Sequence, residues 1–178
     1  MSNLYSLLSH PKYIQYWSAP IDYRRHELLI MAGSTCDDLL LIEDGAVRIY
    51  IIDGDTEQNI RFGYKGDIIT ALDAHLSGTP TRMSIVALRH TTIRKLPKQV
   101  VSELINTNRT TMSQWAALLE SFCLQQLERE VDLLTVSPAE RYHRVLQRSP
   151  KLFQEVPLKH IANYLRMSPE TLSRIRNS

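Results

Sequence analysis

The sequence predicts an α+β protein: an N-terminal antiparallel β-roll of jelly-roll type, one long helix, and a C-terminal helix-turn-helix. Three observations carry this reading. From Glu27 to Leu96 the chain is a series of short apolar or alternating runs, several closed by Gly beside Asp or Lys, the pattern of strands joined by hairpins. From Asn108 to about Leu134 the apolar period becomes helical. From Leu158 onward, small and apolar residues stand where two short crossing helices need them.

Taken in order, "ELLIMAG", "DDLLLIEDG", "AVRIYIIDGD", "TEQNIRFGYKGD", "IITAL", "RMSIVAL" and "TTIRKLP" read as strands, and "EDGA" and "DGDT" as turns between them. In "VRIYII" the residues Val47, Ile49 and Ile51 share one face, with Arg48 and Tyr50 on the other. After Pro97, "KQVVSELI" makes a short helix. The long helix then carries Met112, Ala116, Leu119, Cys123, Leu127, Val131 and Leu134, which step by 4, 3, 4, 4, 4 and 3, about 3.67 per turn. Trp115, Leu118, Phe122 and Leu124 widen the stripe, so one face can cover the roll and a second is left over. A second copy of the same helix is the economical cover, which predicts a homodimer with Met112, Ala116, Leu119, Cys123, Leu127 and Val131 at its interface. A purely intrachain role for the stripe is the alternative. In "SPAERYHRVL", Ser137 and Glu140 form a capping box with Pro138 at the first helical position, and Pro150 ends that helix. The expected units are residues 1–107, 108–135 and 136–178.

Composition excludes several functions. The 178 residues, 43% of them hydrophobic, suffice for a packed core. No apolar run approaches the roughly 18 residues of a membrane span, and "MSNLYSLLSHPKY" lacks a signal-peptide layout, so a cytoplasmic protein without membrane contact is expected. Cys36 and Cys123 are too few and too far apart for a disulfide framework or a metal site, and are expected to be buried as small apolar residues. The His residues show no metal spacing, and neither a Gly-x-Ser-x-Gly elbow nor a useful pair of acids is present, so no metal, cofactor or catalytic residue is expected.

Charge is divided unevenly. Residues 141–178 hold eight Lys or Arg against Glu155 and Glu170, a net +6; the first 140 hold the remaining 13 basic and 17 acidic residues, a net −4. A basic tail on an acidic body is what phosphate contacts require, although an Arg-rich solvated surface has the same composition.

"LKHIANYLRMSPETLSRIR" meets the helix-turn-helix pattern closely. Counted from Leu158, the small Ala162 sits at the crossing, Ile161 and Leu165 pack the first helix, Met167 plugs the turn, and Leu172 and Ile175 point inward from the second helix. Outward stand Pro169, Glu170, Ser173, Arg174 and Asn177. The turn's usual Gly is replaced by Arg166, which must accept a left-handed backbone at about 1 kcal/mol or shift the turn.

With these pieces in order, the chain from about Tyr23 onward resembles the Crp/Fnr family of transcription regulators, and "VPLKHIANYLRMSPETLSRIR" is similar to its short, Bacteroidetes-type members. The other carriers of the resemblance are "IEDGAVRIY" and "ERYHRVLQRSP". It implies a cyclic-nucleotide-binding-like roll, a dimerisation helix, double-stranded DNA as partner, RNA polymerase as a further contact, and a small-molecule effector of unknown identity. The family's Ser-x-Glu-Thr-x-x-x-Arg pattern matches Ser168, Glu170, Thr171 and Arg174, which implies that these, with Pro169, Ser173 and Asn177, meet DNA. The chemistry agrees: Arg bonds guanine O6 and N7, a carboxylate accepts from cytosine N4, and hydroxyls at a helix N-terminus suit phosphate. Pro169 stands where many relatives carry a second base-reading Arg.

Departures from the family pattern are equally informative. Cyclic-nucleotide-binding relatives carry Gly-Glu shortly after "GD" and then Arg-Ser/Thr-Ala; here Thr70 and Ala71 occupy the pair, and Arg82, Met83 and Ser84 lie one residue out of step. Thr70, Ala71, Arg82 and Met83 are therefore expected at an effector pocket that does not take cyclic AMP, with Arg82 read as a surface charge. The cysteine cluster of iron–sulfur relatives is missing. Larger members continue into a β wing, and none is expected after Ser178. Two other readings stay open: a ligand-sensing or protein-interaction module of the same fold without effective DNA binding, and an enzyme built on the roll.

Overall fold

The computed structural model describes residues 14–107 and 109–177. Eight strands form the roll: β1 (Ile21–Tyr23), β2 (Leu28–Ile30), β3 (Leu39–Asp44), β4 (Ala46–Asp53), β5 (Thr56–Tyr64), β6 (Ile68–Ile69), β7 (Ser84–Ala87) and β8 (Thr91–Leu96). They make two four-stranded antiparallel sheets, ordered β1-β8-β3-β6 and β2-β7-β4-β5. The helices are α1 (Leu72–Ser77), α2 (Lys98–Thr107), α3 (Arg109–Leu134), α4 (Pro138–Arg148), α5 (Pro150–Glu155), α6 (Leu158–Tyr164) and α7 (Pro169–Arg176).

Alternation along the strands explains how one roll supports two helical layers. Leu40 and Ile42 of β3 and Val47 and Ile49 of β4 point between the sheets, into a core with Ile69, Ile85 and Ile93. The opposite face of β3 is also buried, because Leu39 and Leu41 pack with Trp17, Leu96 and Val101 beneath α2 and α3. The opposite face of β4 and β5 is buried by the C-terminal helices, where Ala46 and Phe62 meet Val145, Leu152, Ile161, Leu165 and Leu172. The β3–β4 turn depends on Gly45, at φ +97°: an added Cβ would lie 2.6 Å from the His90 carbonyl oxygen and from Thr91 Cα.

Several expectations are corrected here. "IITAL" contributes only the two-residue strand β6, and the following Leu72–Ser77 forms α1, closed by Gly78 in the left-handed region. Six residues are too few to show a helical period in sequence. Pro150 does end α4, and it also opens the short helix α5 as its first helical residue. Neither cysteine is buried: Cys36 is half-buried at the edge of the roll core, and Cys123 is exposed on α3.

One carboxylate ties α3 to α4. Asp132 is fully buried and receives Arg144 Nε and Arg148 Nη1, each at 3.2 Å, together with Arg148 Nη2. Glu128, one helical turn earlier, receives the same two guanidinium groups at 3.2 and 3.4 Å. Asp132→Ala is expected to lower stability by about 2–3 kcal/mol in denaturant unfolding. That is less than the roughly 3–5 of a wholly buried pair, because both arginines retain solvent contact.

Candidate functional site

The helix-turn-helix is assembled from local signals. Helix α6 closes with two hydrogen bonds, Met167 N–H to the Ala162 carbonyl and Arg166 N–H to the Asn163 carbonyl, each at 3.1 Å. This is the Schellman arrangement, and it requires a left-handed residue between the two donors; Arg166 takes that conformation at φ +54°. The expected strain is thus accepted in place rather than relieved by a shifted turn. Ser168 caps α7 by accepting from Thr171 N–H at 3.2 Å, with Pro169 at the first helical position. Ala162, Ile161, Leu165 and Leu172 are buried as predicted, and Met167 and Ile175 lean on the same cluster.

Packing by those residues leaves the other side of α7 free. Ser168, Pro169, Glu170, Ser173, Arg174 and Asn177 are exposed, and Thr171 is half-buried. Glu170, Ser173, Arg174 and Asn177 step by 3, 1 and 3, so they line one face. Its own backbone N–H and the Ser168 hydroxyl hold the Glu170 carboxyl below its ordinary pKa, so it remains an acceptor at neutral pH.

A polar clasp fastens this unit to the roll. Asn163 Oδ1 accepts from Asn59 N–H at 2.8 Å, and Asn163 Nδ2 donates to the Glu57 carbonyl at 2.8 Å, so one side chain of α6 pairs with the backbone of β5. Asn59 answers by donating from Nδ2 to the His160 carbonyl at 3.1 Å and accepting from Arg48 at 3.1 Å. Arg48 also pairs with Glu57 at 2.5 Å, and Arg166 donates to Gln58. From α3, the Arg129 guanidinium lies 3.7 Å from the Tyr164 ring centre and donates to the Tyr164 carbonyl.

The basic tail is not uniformly a surface. Arg141 is buried and donates to the Thr135 and Arg166 carbonyls, while Arg144 and Arg148 are engaged with Asp132 and Glu128. Lys151, Lys159, Arg166, Arg174 and Arg176 remain exposed. The net +6 therefore overstates the cations free to meet an anion.

On α3 the two faces separate. Trp115 and Leu118 pack toward the roll, whereas Met112, Ala116, Cys123, Leu124, Leu127 and Val131 are exposed in the single chain and Leu119 is half-buried. Between α3 and the roll lies a cavity of about 150 Å³ lined by β4, β5, β6 and α3 residues, including Arg61 and Phe122. Thr70 and Met83 border it. Ala71 does not, being turned into the roll core at the start of α1, and Arg82 does not, being exposed in the loop before β7.

A family model described as the cyclic nucleotide-binding domain matches residues 20–108, half of the chain. The chain belongs to the cyclic nucleotide-binding domain family. Its fold over nearly the whole length is shared with several solved structures, a transcriptional regulator among them. A CooA mutant from Carboxydothermus hydrogenoformans superposes with a TM-score of 0.77 at 19% identity, covering 99% of this chain and 83% of that one. FixK2 from Bradyrhizobium japonicum gives 0.76 at 18% identity, covering 89% and 82%. TTHA1359, a CRP/FNR-family transcriptional regulator from Thermus thermophilus, gives 0.65 at 15% identity, covering 89% and 84%. Among curated protein sequences none matches the chain.

Two groups, one in the cyclic nucleotide-binding domain and one joining it to α6, carry no sequence signal. Arg61 alternates within its strand like an ordinary charge, and Asn59 and Asn163 belong to no pattern. Among the described residues no helix is long and apolar enough to cross a membrane, and no group of His, Cys, Asp or Glu is placed to hold a metal ion.

The clasp makes stability sensitive to acid. Burial between the domain and α6, and then the nearby Arg48 and Lys159 charges, lower the His160 pKa from 6.5 to about 4, against the pull of Glu57. Below about pH 6.5 the unfolded chain therefore binds a proton that the folded chain refuses, and this group removes stability as pH falls toward 4; above 6.5 its effect vanishes. His160→Gln is expected to flatten that part of the profile, seen as a smaller fall in Tm than the parent shows between pH 6.5 and 4.5.

Proposed function

We infer that the protein is a homodimeric, sequence-specific DNA-binding transcription regulator that does not respond to cyclic AMP. The observation that carries this is the free face of α7. A helix capped by Ser168 and anchored through Leu172 presents Glu170, Ser173, Arg174 and Asn177 together to solvent. Arg174 suits a bidentate bond to guanine, and Glu170, held ionised, suits cytosine N4. Ser168 and Thr171 lie at the helix N-terminus, where hydroxyls and backbone N–H groups suit phosphate. Pro169 packs beside the backbone and reads no base.

The long exposed stripe of α3 supports the homodimer. Met112, Leu127 and Val131 are 52%, 58% and 45% exposed over a 26-residue helix, and a second α3 across a two-fold axis covers them with their own equivalents. Ala116, Leu119 and Cys123 fall on the same stripe. In this account residues 1–107 sense, 108–135 join the two chains, and 136–178 read DNA, with RNA polymerase as a further contact. The likeness to regulators such as TTHA1359 supports the same assignment.

Against cyclic AMP, the positions that the resemblance assigns to the ribose and phosphate grips hold Thr70 and Ala71, Ala71 faces the core, and Arg82 stands away from the cavity.

Selection of binding sites from a random DNA pool tests this reading. An inverted repeat with half-sites about one helical turn apart is expected, and Arg174→Ala should weaken binding to it by roughly 1–3 kcal/mol with relaxed choice at one G·C position. A pool that stays random at low and moderate salt contradicts DNA reading, and equal binding by parent and variant removes Arg174 from it.

A further inference from the structure

The cavity between α3 and the roll is apolar on most sides. Ile49, Ile69, Leu72, Met83, Leu118 and Phe122 line it, and its volume of about 150 Å³ matches that in which an apolar protein cavity holds one benzene-sized ring. Into this lining projects one cation. The Arg61 guanidinium lies 4.9 Å from the Phe122 ring centre and, among the described residues, forms no hydrogen bond or ion pair.

Such a group is costly to keep. A half-buried guanidinium loses hydration that the Phe122 ring and the attraction of the nearby Asp67 carboxylate repay only in part. Burial accordingly lowers its pKa. Asp67 also lines the cavity, but its Oδ2 accepts from Tyr64 N–H at 2.9 Å and it forms no ion pair with Arg61. Three other polar side chains of the lining are engaged with the protein: Thr70 donates to the Asp38 carbonyl at 2.9 Å, and Ser121 Oγ accepts from Gln125 at 3.1 Å, while Gln126 borders the cavity from α3. Arg61 is the one cation among the described lining residues, and its planar fork is matched by a carboxylate.

We propose that this cavity binds a small aromatic carboxylate, with the ring among Ile49, Ile69, Leu118 and Phe122 and the carboxylate paired with Arg61. This rests on reading the chain as an effector-responsive regulator and names the effector's chemistry. It differs from a cyclic nucleotide in having no sugar and in using a β5 cation that the resemblance does not assign. Because β5 also carries the Asn59 clasp to α6, and α3 carries Phe122 beside the exposed stripe, the guest touches both the element that holds the reading head and the one that joins two chains.

Calorimetric titration of the full chain, without DNA, tests the proposal independently of DNA reading. The probes are benzoate, phenylacetate and 3-phenylpropionate, with benzyl alcohol and cyclic AMP as comparisons. At least one carboxylate is expected to bind the parent, at least tenfold more tightly than benzyl alcohol, and cyclic AMP is not expected to displace it. Arg61→Gln should weaken that binding tenfold or more while its circular dichroism and Tm stay near the parent's. Arg61→Lys, which keeps the charge and loses the fork, should fall between. If Arg61→Gln unfolds, Arg61→Lys alone decides, and parent-like affinity in it overturns the proposal. Failure of all three carboxylates to bind the parent, equal binding of benzyl alcohol, or unchanged affinity in Arg61→Gln also overturns it. A positive titration beside a failed DNA selection would leave the site standing and remove only its reported output.

Discussion

Everything that the C-terminal helices present depends on how they are seated, and the seat is the pairing of Asn163 with the backbone of β5. A strand amide and a strand carbonyl that point away from the sheet are satisfied by one side-chain amide from another layer, which fixes both position and rotation of α6. The apolar cluster below supplies most of the burial energy, but apolar contact alone tolerates sliding. Two opposed hydrogen bonds do not, since a small shift breaks both and leaves polar groups unpaired. Arg48, Asn59 and Glu57 extend the clasp within the roll, and Arg129 approaches it from α3.

That seating converts a generic helix pair into a directed one. With α6 fixed on the roll, the Schellman turn at Arg166 and the Ser168 cap leave α7 only one course, and the buried Leu172 sets which side faces out. The same arrangement brings β5 and α3 together at one cavity. Strand β5 bears Arg61 facing the cavity and Asn59 facing the head; α3 bears Phe122 toward the cavity and Leu127 toward solvent. The cavity is thereby adjacent to both the seat of the helix-turn-helix and the α3 stripe, without any long relay of contacts.

Much of this was legible in the sequence, for identifiable reasons. The period of α3, the Ser137 cap and the apolar slots around Ala162 are local signals, and each appears where its spacing placed it. Even the cost at Arg166 was readable, because a missing glycine is itself a local signal. What escaped was set by pairing across distance. Asn59 and Asn163 are 104 residues apart, and nothing around either names its partner. Arg61 alternates like any edge charge, and only the sheet's register turns it toward a cavity instead of water. The basic tail misled because composition counts charges without their partners; Arg141, Arg144 and Arg148 are structural. Helices α1 and α5 were missed for length, at six residues each.

The most direct test of the seating is the amide hydrogen-exchange rate of Asn59, measured by nuclear magnetic resonance in the parent and in Asn163→Ala. The account predicts that Asn59 N–H is protected by Asn163 alone and exchanges roughly tenfold or more faster in the variant, while the amides of Val47 and Ile49, buried in the sheet, keep their rates. An Asn59 amide that exchanges equally in both proteins would contradict the account, because the helix-turn-helix would then not be held on the roll by this clasp.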